Sequence, residues 1–114
     1  MPRDYRVYLE DVSEAIGRVA RYVSGLSREA FSADERTLDA VVRNLEIIGE
    51  AIKKIPEDIR SSNPAIEWQK IAGLRDILIH EYFGIDIEII WDIVQNKLPT
   101  LEKQIKQVLA QSEP

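Results

Sequence analysis

The sequence contains no cysteine. That absence excludes disulfides, thiolate zinc sites and cysteine nucleophiles. There is one histidine, His80. Transition-metal centres usually draw on two or more imidazoles, so none is expected. Carboxylates could still hold a hard cation, but the acidic residues are spread along helical faces with no tight ligand cluster. Glycine and proline are sparse, five of each, and fall where elements would end. No apolar run approaches the length of a membrane span. The N-terminal "MPRDYRVYLED" is charged and lacks an apolar signal core, so a cytoplasmic location is the expectation. A basic surplus is missing too. Fifteen Lys and Arg stand against 20 Asp and Glu, a net charge of −5. A generic nucleic-acid binder would carry a basic field. Any contact with nucleic acid must therefore be local, or assembled from two chains.

What is present reads as helix. With 114 residues, 45% of them hydrophobic, the chain can bury one core, and residues 1–114 are expected to form a single domain. From Asp4 to about Ser24, Tyr8, Val12, Ile16, Val19 and Val23 recur at helical spacing, with Gly25 as a stop. The connection "LSREAFSADE" follows, with room for a short turn. Ser32 and Glu35 have the spacing of a capping box for a second helix reaching about Lys54. Its stripe is Leu38, Val41, Leu45, Ile48, Ile52 and Ile55, and Pro56 should break it. "PEDIRSSNPAIEW" is a polar linker that can hold one helical turn. A third helix is expected from near Ile66 to near Gly84. Asp86 can cap a fourth, from about Ile87 to Gln111, with Ile90, Ile93 or Val94, Leu98, Leu101, Ile105 and Val108 inward. Pro99 should kink or break it. The expected fold is an all-α, four-helix up-and-down bundle with a short extra helix or turn before the third main helix.

The stretch "GLRDILIHEYFG", Gly73 to Gly84, sets polar groups among the most apolar residues of the third helix. Ile71, Leu74 and Leu78 share one face, while Ala72, Ile79 and Phe83 form a second apolar patch. A helix apolar on two sides is covered on two sides, and a second copy of the chain is the first candidate for the other cover. Asp76 and His80 are four apart and neighbours on one face, so the aspartate can orient the imidazole. Arg75 and His80 fall about 140° apart on an ideal helix, poorly placed to meet within one straight segment. Residue types and spacing alone leave two readings open: a partly buried polar cluster, or an active site. Tyr82 is equally open between packing and function. Lys53, Lys54, Arg60 and Lys70 could line a path for a polyanion or form a solvated face. Glu46 and Glu50 could accept an arginine or a metal, or make a polar contact. Trp68 and Trp91 are expected as packing anchors.

Three stretches together resemble one family. "RNLEIIGEAIKKIP" resembles its second helix with a glycine–glutamate–alanine signature, "IEWQKIAGLRDILIHEYFGID" its central motif, and "IWDIVQNKLPTLEKQI" its last helix with an internal proline. In the central motif an arginine, four residues, a histidine, one residue and a tyrosine follow in order. The chain resembles the HEPN superfamily, and within it the HepT-like toxins once grouped as domain of unknown function 86. The resemblance implies a metal-independent endoribonuclease, without cofactor, that is the toxin of a type VII-like toxin–antitoxin pair. Arg75 and His80 would be its catalytic pair and Asp76 an orienting residue. Two copies would share a cleft in a homodimer. The partner would be an MNT-type nucleotidyltransferase that inactivates the toxin by transferring AMP to Tyr82. A non-catalytic HEPN module that only holds a partner or nucleotide is the alternative.

Overall fold

The computed structural model describes residues 4–74 and 86–111. They are helical, with no strand among them. The elements are α1 (Tyr5–Val23), α2 (Arg28–Ala33), α3 (Glu35–Lys53), α4 (Glu57–Ser62) and α5 (Trp68–Ala72), then α6 (Ile87–Asp92). A π-helical turn (Ile93–Lys97) leads without a break into α7 (Leu98–Gln111). The main packing joins α1 to α3, α1 to α7, and α3 to α5. This is the all-helical bundle expected, with short helices in both connections.

Local chemistry accounts for the ends. Asp4 accepts from the Arg6 backbone N–H at 2.9 Å and starts α1. Gly25 follows α1 with φ +78, in the left-handed region where a side chain is strained. The connection after it is more ordered than one turn: Ser27 caps α2 through the Ala30 N–H at 3.0 Å. The capping box expected at Ser32 and Glu35 is absent. Ser32 lies inside α2, and Asp34 caps α3, its two oxygens taking the Thr37 N–H at 3.1 Å and the Thr37 hydroxyl at 2.8 Å. A carboxylate two residues further along the chain displaced the serine from that role. Asp86 caps α6 through the Glu88 N–H at 2.9 Å, as its position predicts.

The core follows the stripes. Leu9, Val12, Ala15, Ile16, Val19 and Val23 are buried on α1, and Val41, Leu45, Ile48 and Ile52 on α3. Tyr8 and Leu38 pack at the margin. On the last helix, Val94 is buried and Ile93 only partly, which resolves that alternative. Where the third main helix was expected, Ile71 and Ala72 of α5 are partly buried against the core, and Leu74, two residues past α5, is buried. Leu78, Ile79 and Phe83, and the end expected near Gly84, lie outside the described residues. Pro99 neither breaks the helix nor ends it. The turn preceding it is π-helical, with the Leu98 N–H bonded to the Ile93 carbonyl. A wider turn moves the backbone that the proline ring would otherwise strike.

Candidate functional site

Arg75, Asp76, His80 and Tyr82 lie outside the described residues, so the site is characterised by what holds the chain on either side of it. On the entering side, α5 is tied down by Trp68. Its indole N–H is shared between the carbonyls of Arg60, 3.2 Å away, and Asn63, 3.0 Å away. Burial with the N–H satisfied makes it a packing anchor, as expected. Arg60 in turn donates Nη2 to the Ile52 carbonyl at 3.0 Å and Nε to the Ile55 carbonyl at 3.1 Å. It therefore closes the C-terminal end of α3, whose last carbonyls have no helical donors. Gln104 of α7 reaches the Ala65 carbonyl at 3.2 Å and holds the loop before α5. The path continues through Gly73 to the buried Leu74, the residue before Arg75.

On the leaving side, Asp86 caps α6, Glu88 pairs with Arg28 of α2, and Trp91 lies against Phe31 of α2 with ring centroids 5.1 Å apart. Trp91 is thus also a packing residue. Phe31 is fully buried.

The candidate cations are largely engaged within the protein. Lys70 pairs with Glu67 at 2.8 Å, and Lys53 sits 3.9 Å from Glu50. The Lys70 hydrogen bond, and then its charge, lower the Glu67 carboxyl, and the same contact raises the Lys70 ammonium. Glu46 faces Arg43 at 3.9 Å. Among the described residues no three His, Cys, Asp or Glu side chains gather where they could hold a metal ion. No helix among them is long and apolar enough to cross a membrane. A hollow of about 470 Å³ beside α5 is lined by Glu57, Arg60, Ser61, Glu67, Trp68, Gln69 and Lys70. A second hollow, about 350 Å³, opens between α1 and the π-turn.

Two polar features escaped the sequence reading. Asn44 is buried on α3, its Oδ1 taking Arg18 Nη1 at 3.3 Å and its Nδ2 donating to the Ala40 carbonyl at 2.8 Å. The signal was there, since position 44 falls within the arc of Val41, Leu45 and Ile48. Arg28 had no such signal, because its partner lies far along the chain.

Comparison with known proteins agrees with this frame. The family model described as "Ribonuclease HepT-like" matches residues 12–108. A relative from Methanocaldococcus jannaschii that carries the name "Putative RNase" is 44% identical over 110 residues, covering 96% of this chain and 91% of its own. One from Caldanaerobacter subterraneus subsp. tengcongensis, with the same style of name, is 44% identical over 91% of this chain and 93% of its own. A Thermococcus cleftensis relative named "Probable ribonuclease HepT" is 41% identical over 95% and 98%. No solved structure matches. The chain belongs to the HepT-like ribonuclease family.

Proposed function

We propose that this protein is a metal-independent endoribonuclease, acting as the toxin of a two-gene toxin–antitoxin pair. The observation that carries the reading is the family match, which runs from residue 12 to residue 108 and so spans Arg75, His80 and Tyr82. The chemistry suits those residue types. The His80 imidazole, near neutral in pKa by nature, takes the proton of a ribose 2′-hydroxyl. The freed oxygen attacks the adjacent phosphorus, the P–O5′ bond breaks, and a proton goes to the departing 5′-oxygen. The Arg75 guanidinium binds phosphate oxygens in a fork and stabilises the charge that develops on them. Products are a 2′,3′-cyclic phosphate and a 5′-hydroxyl, and the need for a 2′-hydroxyl selects RNA over DNA. Asp76, four residues before His80, orients the imidazole.

Arg75 and His80 are poorly placed for joint action within one ideal helix, so the working site is a cleft between two copies of the chain. Tyr82 is the regulatory residue. An MNT-type nucleotidyltransferase moves AMP from ATP to its hydroxyl: the tyrosyl oxygen gives up its proton and bonds to the α-phosphorus, pyrophosphate leaves, and the added anion occupies the phosphate position beside Arg75.

The deciding assay is RNA cleavage in EDTA by wild type, His80→Ala and Arg75→Ala, each checked for fold and dimer. Wild type should cleave, and loss of the general base should slow it roughly 10²–10⁴-fold. Equal background from all three proteins would leave a non-catalytic module in its place. Light scattering at micromolar concentration should give a dimer. Mass spectrometry after incubation with the nucleotidyltransferase and ATP should locate AMP on Tyr82.

A further inference from the structure

We draw no further inference here: the strongest candidate, the hollow of about 350 Å³ between α1 and the π-turn, is floored by the core side chains Ile16, Val19, Val23, Val94 and Leu98, which are already buried, and nothing in the structure shows what covers it.

Discussion

Leu45 and Asn44 are neighbours on α3, both buried, and they should respond to substitution to very different degrees. Leu45 is fully buried in a core of branched aliphatics, so Leu45→Ala removes contacts and leaves a void. The expected cost is about 2–5 kcal/mol by urea denaturation. Asn44→Leu removes an amide whose bonds go to Ala40 of its own helix and to Arg18. Arg18 keeps Glu14 at 3.1 Å and reaches solvent, so it is not stranded. Replacing a buried polar group by an apolar one of similar shape is then nearly neutral, within about 1 kcal/mol. A large loss from Asn44→Leu would mean that the amide fixes the α1–α3 register. Asp34 gives a residue-scale prediction in pH. Hydrogen bonds from the Thr37 N–H, and then from the Thr37 hydroxyl, hold its carboxyl below the usual value. A depressed carboxylate contributes stability fully above its unfolded pKa, near 4, and loses it as pH falls through the lower folded value. Urea midpoints measured from about pH 5 down to about pH 3 should fall more steeply for wild type than for Asp34→Asn, which keeps an acceptor but has no charge to lose.

At the scale of elements, the last helix holds the sharpest prediction. An interior proline is about 3 kcal/mol less favourable than alanine in a regular helix. Here the π-turn over Ile93–Lys97 has already relieved part of that conflict, and Pro99 lines the hollow against α1. Pro99→Ala should therefore stabilise the protein by clearly less than about 3 kcal/mol, because the relief is partial and some contact with α1 is lost. A destabilised variant would show that packing of α7, not the proline, imposes the π-turn. The helices themselves were legible in the sequence, because apolar residues at steps of three and four leave little choice of buried face on α1, α3 and α7. What was not legible came from competition between close alternatives. Two polar residues, Ser32 and Asp34, bid for one cap. A proline inside a helix can be met by a kink, a break or a widened turn. The motif of the candidate site was legible through spacing and family likeness, because an Arg, a His and a Tyr at set intervals make a string. The contacts of the helix that follows it were not: Arg28 and Glu88 meet only because the bundle returns α6 to α2.

The whole molecule sets a limit on how the proposed RNA substrate could be bound. Its net charge is −5, and candidate cations flanking α5 are engaged internally: Arg60 on the carbonyls of α3, Lys70 on Glu67, and Lys53 facing Glu50. A protein of this balance cannot draw RNA in with a broad positive field, and the proposed cleft must rely on a few charges at the reacting phosphate. That difference is measurable. For single strands, log affinity falls with log salt at about −0.7 per phosphate contact released. If the two copies of Arg75 in a dimer supply the main contacts, the slope of log kcat/KM against log salt should be near −1.4. A basic groove making six contacts would give about −4. The measurement is cleavage of one short RNA at low substrate across about 50 to 200 mM monovalent salt, where those slopes predict losses of roughly sevenfold and several-hundredfold. Arg75→Ala cannot serve as the control, since it should remove turnover as well as binding. Direct binding to the 2′-deoxy analogue, which lacks the attacking hydroxyl, isolates the electrostatic part. Wild type should show the shallow slope on that analogue too, and a steep one would show that more cations than the two copies of Arg75 meet the phosphates.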